Sequence, residues 1–427
     1  MKDSGIEWIG EIPENWEITK HKYVMHKEKD ICEHYNGEDI ISLTMNGVII
    51  RDLDAGGKMP TTFDGYQYVE PDKLLLCLFD IDVTPRCVGV IRNNGLTSPA
   101  YSKFSVHNGY SVEYYNYLLR AIDDDKVLVH LAKNLRSSFT ETDFGALPTI
   151  APPLHEQQTI SAYLDRQCTL IDSVIEKTKA SIEEYKKLRQ AVITQAVTKG
   201  VRGDRAMKDS GIEWIGEIPE EWETSKIRYI GTLQNGISKG GDFFGEGFPF
   251  VSYGDVYKNF ELPKYVAGLV RTSDKERQIY SVEKGDIFFT RTSETIEEVG
   301  FSAVCTRTID NATFAGFVIR LRPYKVDGII CTVFAKYYFR GEQIRKYLVK
   351  EMNLVTRASL GQGLLNAMSV LIPPIAEQQE IAAYLDQKCV EIDNLITKKE
   401  QFLTELDTYK KSLIYEYVTG KKEVPQV

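Results

Sequence analysis

The feature that most restricts this chain's fold is that it repeats itself. Residues 1–24 read MKDSGIEWIGEIPENWEITKHKYV and residues 207–230 read MKDSGIEWIGEIPEEWETSKIRYI; 18 of the 24 positions are identical at an offset of 206. A second pair follows, PPLHEQQTISAYLDRQCTLID at 152–172 and PPIAEQQEIAAYLDQKCVEID at 373–393, with 13 of 21 identical at an offset of 221. The chain is two similar halves in tandem. Each half runs through a short apolar-aromatic segment, a variable block and a long polar helix. The segment Val201 to Ala206 is short and polar and reads as a linker.

The blocks between, 25–151 and 231–372, barely resemble each other. Val69 to Leu76 nonetheless lines up with Val282 to Phe289, and Val88-Gly89-Val90 with Val299-Gly300-Phe301. Arg136 and Arg357 stand at the same distance before their Pro-Pro pairs. One fold used twice with different surfaces is the simplest reading. Tyr66 to Phe79 and Ile287 to Thr290 are expected to be strands. Tyr114 to Ala121 and Val333 to Val349 are expected to be helices.

From Leu164 and from Leu385, apolar residues recur at 3-4 spacing with Glu, Lys and Gln between them, the pattern of a coiled coil. A helix from about 155 to 198 would be ~65 Å long at 1.5 Å per residue. It cannot bury its stripe alone, and its natural partner is the twin near 376–419. Pro153, Pro374, Glu156 and Glu377 suit helix starts. Trp8, Ile9, Ile12 and Trp16 read as an anchor joining each half to its helix, or as a seat for a partner.

Much chemistry is missing. Seven cysteines form no C-x-x-C pair, so neither a disulfide scaffold nor a cysteine zinc site is expected, and a reducing cytosol fits. No apolar run approaches the ~20 residues needed to cross a bilayer. Met1 to Gly10 has no apolar core and does not read as a signal peptide. Phe243-x-Gly245-x-Gly247 has the spacing of an S-adenosylmethionine loop, but the residues before it cannot form the buried strand that motif follows. There is no phosphate-binding G-x-x-x-x-G-K-[ST] loop and no H-E-x-x-H. Asp123-Asp124-Asp125-Lys126 reads as a solvated loop. Cys168 and Cys389 are repeat-equivalent and read as core thiols. No catalytic, metal or cofactor residues are assigned.

The double arrangement, the IPExW segments (Trp8 to Trp16, Trp214 to Trp222), the PPxxEQQxIxxYLD starts (Pro152 to Asp172, Pro373 to Asp393) and the threonine–glycine helix ends together resemble the specificity subunit of type I restriction-modification enzymes. Gly247 to Val256 and Lys284 to Phe289 also resemble that family's target-recognition pattern, whereas the first block lacks the glycine-rich opening. The resemblance implies an α+β chain: two globular mixed α/β target-recognition domains separated by two long antiparallel coiled-coil helices, a pseudo-two-fold tandem repeat. The expected division is a first target-recognition domain at 1–151, a central helix at 152–200, a linker at 201–206, a second target-recognition domain at 207–372 and a C-terminal helix and tail at 373–427. It further implies a cytoplasmic subunit without catalysis, whose domains each read one half of a bipartite double-stranded DNA site. Two methyltransferase subunits dock on it and two motor-nuclease subunits can join. S-adenosylmethionine, ATP and Mg are expected in those partners, and no membrane is involved.

Physics adds detail. Because the two readers differ, the half-sites should differ and the target should not be a palindrome. The helices would act as a ruler. Net charge is −9, which alone argues against phosphate contact. Residues 231–372 however carry 18 basic and 15 acidic side chains, whereas 25–150 carry 12 and 18. Candidate DNA contacts are Arg51, Lys58, Arg86, Arg92, Asn93, Lys103 and Arg136 in the first block. In the second they are Lys239, Tyr253, Lys258, Arg291, Arg307, Arg357 and Gln362. Arg136 and Arg357 rank first, because both halves keep Arg in a divergent stretch. Arg holds a phosphate or a guanine edge bidentately, and amides and hydroxyls pair with base edges. The competing reading of each is an intramolecular salt bridge. The competing functions are a single-chain DNA methyltransferase or nuclease, and a twin-domain adaptor that binds proteins.

Overall fold

The computed structural model describes residues 1–425 except 46, 55–59, 85, 133–136, 294–298 and 352–357. The chain divides into two units, Met1–Lys179 with Gln401–Val427, and Ala180–Glu400. Each unit is a mixed α/β domain with a stretch of both long helices.

In the first unit, alternating and wholly apolar runs form two four-stranded sheets. One has the order Met25–Glu28, Ser102–Val106, Leu74–Leu76, Val88–Val90, all antiparallel. The other has the order Gly47–Ile50, Ile40–Thr44, Gly95–Thr97, Gln67–Val69, with its one parallel pair between Ile40–Thr44 and Gly95–Thr97. The expected single strand from Tyr66 to Phe79 is thus two, one in each sheet, broken at Asp72, where φ is +63°. The helix Val112–Asp124 starts at Ser111, whose hydroxyl accepts the Tyr114 N–H, and buries Tyr114, Tyr115, Leu118 and Leu119.

The second unit repeats the first sheet strand for strand: Gly231–Asn235, Val318–Pro323, Ile287–Thr290, Ser302–Val304, again all antiparallel. Val88 pairs with Leu76, as Ser302 pairs with Phe289. Val88-Gly89-Val90 therefore corresponds to Ser302–Val304, three residues beyond the match read from sequence. A smaller sheet has the order Gly268–Val270, Phe244–Val251, Thr313–Phe314. Gly245 and Gly247 sit in a bulge of its middle strand, with φ of +100° and +105°; a Cβ on Gly247 would stand 2.6 Å from the Val270 carbonyl. The expected helix from Val333 to Val349 is two, Thr332–Tyr338 and Glu342–Glu351. It breaks where Arg340 turns inward to donate to the carbonyls of Val256, Tyr257, Asn259 and Ser302.

The long helices span Leu154–Lys199 and Ile375–Val418. Within the first unit they pair antiparallel: Tyr163 faces Tyr417, with rings 4.7 Å apart, and Asp172 meets Lys410. Within the second unit Arg189 lies 2.9 Å from Asp393, and Arg202 holds both oxygens of Glu380. The stripe residues Leu164 and Cys168 are buried in one unit, Leu385 and Cys389 in the other. Burial raises the pKa of both thiols, as core thiols require.

Candidate nucleic-acid interface

The duplicated motifs build the frame that presents the variable faces. Trp16 and Trp222 are buried, and each indole N–H donates to the glutamate of its Pro-Pro helix, Glu156 at 2.8 Å and Glu377 at 3.0 Å. The next residue, Gln157 or Gln378, is fully buried. Its amide donates to the carbonyl of Pro152 (2.7 Å) or Pro373 (2.9 Å), and its oxygen accepts the backbone N–H of Ser111 (2.8 Å) or Cys331 (2.7 Å). Asp165 and Asp386 accept the hydroxyls of Tyr117 and Tyr337, both at 2.7 Å. The EQQ and YLD letters therefore lock each domain onto its helix. The linker is fastened too, because Arg205 pairs with the buried Glu377 at 2.6 Å.

The candidates from sequence fall into three groups. Lys58, Arg136 and Arg357 lie outside the described residues. Arg86, Arg92, Lys103 and Lys239 are engaged inside their own unit. Arg86 is 8% exposed and bonds Asp123 (3.2 Å) and Asp124 (2.8 Å). Asp123 also accepts from the Cys87 N–H, so in the acidic run read as a solvated loop Asp123 and Asp124 form an ion-pair hub, while Asp125 is exposed. Lys103 is 2% exposed, 3.1 Å from Glu70 and 3.6 Å from Glu28, in a network that includes Lys73. Burial works to raise the Glu28 pKa, but Lys73, Ser105 and Lys103 outweigh it and hold the carboxyl at about 2. Arg92 forms a bidentate pair with Glu113, at 2.7 and 2.9 Å, yet stays more than half exposed. Lys239 pairs with Glu276 at 2.6 Å; Lys239 and the Ser273 N–H hold that carboxyl at about 2.

The third group reaches the surface. Asn93, Lys258 and Arg307 are exposed, while Arg51, Tyr253, Arg291 and Gln362 are half-buried. The fold brings Arg291 and Gln362 to one end of the strands of the second unit's main sheet. Arg291 gives its backbone N–H to Phe317 (2.8 Å), accepts that of Leu360 (2.7 Å), and its guanidinium lies 3.5 Å from the Gly316 carbonyl. Gln362 donates to Asn235 at 2.9 Å, and Gly316 donates to Ile237 at 2.8 Å. A Cβ on Gly236 would stand 2.2 Å from the Ala315 carbonyl, so the approach needs glycine. Phe317, 61% exposed, lies at the same strand end, so one guanidinium, two amides and one aromatic ring share the patch.

A second cluster lies on the turn before the bulged strand. Lys239 and Arg271 stand 4.9 and 5.5 Å from the Phe243 ring, and Arg277 stacks 3.7 Å over Phe248. Phe243 and Phe244 are exposed; apart from this cluster, Tyr265 is 81% exposed with Lys264 5.5 Å from its ring. Each cation of the cluster is ion-paired within the unit, Lys239 with Glu276, Arg271 with Glu246 at 3.4 Å and Arg277 with Asp274; Arg271, more than half exposed, is the one placed to exchange its partner for a phosphate. Phe317, Asn235, Arg271 and Tyr265 were missed from sequence; the only signal was glycine density around them.

Residues 219–405 match the family described as the type I restriction modification DNA specificity domain. The chain is 25% identical over 456 residues to a Methanocaldococcus jannaschii protein described as the MjaX type I restriction enzyme specificity subunit, covering 97% of this chain and 96% of that one. It is also 25% identical over 283 residues to the Escherichia coli EcoBI specificity subunit, covering 63% of this chain and 57% of that one. Among solved structures, a chain from work on complex assembly and conformational transition of the type I R-M system superposes with a TM-score of 0.73, at 14% identity, over 96% of this chain and all of that one. The HsdS subunit from Thermoanaerobacter tengcongensis gives 0.54, at 14% identity, over 96% and 98%. At such identity the structural likeness is one of fold.

Proposed function

We propose that this chain, whose residues 219–405 match the type I restriction modification DNA specificity domain, is the DNA-reading subunit of a type I restriction-modification complex. Each domain reads one half of a bipartite, asymmetric site. The paired helices set the spacer and seat two methyltransferase subunits, which two motor-nuclease subunits can join. Catalysis, with S-adenosylmethionine, ATP and Mg, belongs to those partners. The observation that carries this reading is the contrast within the repeat: the same strand order and the same Trp–Glu and Gln locks hold two faces with different side chains. A frame held constant beneath differing faces is what two different half-sites require.

Within the second face, Arg291, Gln362, Asn235 and Phe317 are the proposed base-edge contacts, with Lys258, Arg271 and Arg307 on phosphates. In the first, Arg51, Arg92 and Asn93 remain the candidates among the described residues, beside Lys58 and Arg136 outside them. Arg86 and Lys103 are assigned to structure, because both are themselves buried and moving Arg86 to a phosphate would strand the buried carboxylates of Asp123 and Asp124.

Mapping of methylated adenines in cells with and without this chain tests the reading. A bipartite motif present only with the chain is expected; an unchanged methylome refutes it. Adding four residues to each long helix lengthens it by ~6 Å, about two base pairs at 3.4 Å each. The spacer should lengthen while the letters stay. Altered letters with an unaltered spacer would defeat the ruler.

A further inference from the structure

The first unit carries a cleft of about 500 Å³ lined by the N-terminal repeat segment and the helix Val127–Leu131. Its walls are mainly apolar, from Ile6, Trp8, Val127, Leu131 and Pro148. Among the lining residues His21 is the one buried polar side chain. It is 1% exposed, its ring lies flat against Phe144 with centroids 4.7 Å apart, and its Nδ1 has no hydrogen-bond partner among the described residues. Burial lowers its pKa from 6.5 to about 4, so the ring is neutral at pH 7, with one nitrogen donating and the other accepting. A buried polar group left without a partner is costly, and a ligand that supplied one would recover that cost.

The second unit shows what fills the equivalent place. At the 206 offset, Trp8 corresponds to Trp214 and His21 to Ile227. The tyrosines that bond the helix aspartates, Tyr117 and Tyr337, are 220 apart, and that offset carries Val127 onto Tyr347 and Leu128 onto Leu348, both leucines being buried. In the second unit Tyr347 stacks on Trp214, with ring centroids 5.1 Å apart and planes at 23°. Where one unit lays its own tyrosine on the repeat tryptophan, the other has a valine, an open cleft and an imidazole in place of isoleucine.

We propose that this cleft is a binding site for a phenolic ring, packed on Trp8 as Tyr347 packs on Trp214, with its hydroxyl paired to His21. A hydroxyl both donates and accepts, so it satisfies either tautomer of the imidazole. The ring belongs either to a free phenol or to the tyrosine of an associating polypeptide. This site is independent of DNA reading, so its failure would leave the proposed function standing.

The test is saturation-transfer NMR on the full chain with 4-methylphenol, the tyrosine side chain as a free molecule. Wild type should show transfer to the ring protons. V127Y, which supplies the twin's tyrosine, should abolish it. H21I should weaken binding about three- to tenfold, the loss of one neutral hydrogen bond. If V127Y does not fold, H21I decides. Displacement of 4-methylphenol by a Gly-Tyr-Gly peptide assigns the site to a polypeptide tyrosine, and failure to displace assigns it to free phenols. No transfer up to the solubility of 4-methylphenol, or binding that neither variant changes, overturns the proposal.

Discussion

Replacing His21 by isoleucine, the residue at the same place in the second repeat, should remove much of the acid sensitivity of the first unit between pH 7 and pH 5. The imidazole is enclosed, and burial lowers its pKa from 6.5 to about 4. An unfolded chain takes up this proton near its ordinary pKa, whereas the folded chain resists until about pH 4. The stability at stake is therefore whole above pH 6.5 and is lost as the pH falls toward 4. At about 1.4 kcal/mol per pKa unit, the full excursion is worth about 3 kcal/mol, of which about 2 kcal/mol falls between pH 7 and 5. Glu28 leaves this window clear: held at about 2, its contribution is present above its ordinary 4.5 and fades only below it. Hydrogen exchange along the helix Val112–Asp124, corrected for intrinsic rates, reads the opening of this core. The wild-type helix should lose ~30-fold more protection than H21I over that interval. Equal losses in the two proteins would show that His21 is not what senses the proton.

W222F removes the N–H that Glu377 accepts and part of a fully buried ring, and should lower second-unit stability by at least about 1.5–3 kcal/mol in urea titrations, with the DNA letters unchanged. R340K loses the planar fork that reaches four carbonyls and should cost at least about 3 kcal/mol by the same measurement; R340K protein as stable as wild type would refute the role given to Arg340. R291A and Q362A should each weaken DNA binding by about 1–3 kcal/mol and relax the letters of one half-site only, read by methylation of a randomised target library. K258Q and R307Q should each reduce the salt slope of DNA affinity by about 1 without changing the letters.

Duplication made the frame legible, because a residue that appears twice at a fixed offset has a job common to both halves. Trp16 and Trp222, Glu156 and Glu377, and Asp165 and Asp386 all turned out to bond within the frame. The variable blocks gave less. Their strands are short, and a run such as Tyr66 to Phe79 does not reveal that Asp72 turns it from one sheet into another. Nor does a helical period reveal that Arg340 stops a helix by reaching for carbonyls. Individual charges were least legible, because pairing depends on contacts far apart in sequence: Arg86 meets Asp123, and Lys103 meets Glu28 and Glu70.

That difference in pairing follows from the balance of charge in each block. With 12 cations among 18 anions, a basic side chain in residues 25–150 has a carboxylate within reach, and the ion pairs of Arg86, Arg92 and Lys103 are the result. With 18 among 15, residues 231–372 leave Lys258 and Arg307 exposed and hold the half-exposed Arg271 by a surface pair with Glu246 beside the open Phe243 ring. The two faces should therefore read DNA by different balances. The second can draw on phosphate attraction of its own, whereas the first must rely more on neutral donors such as Asn93 and on positive charge supplied by its partners.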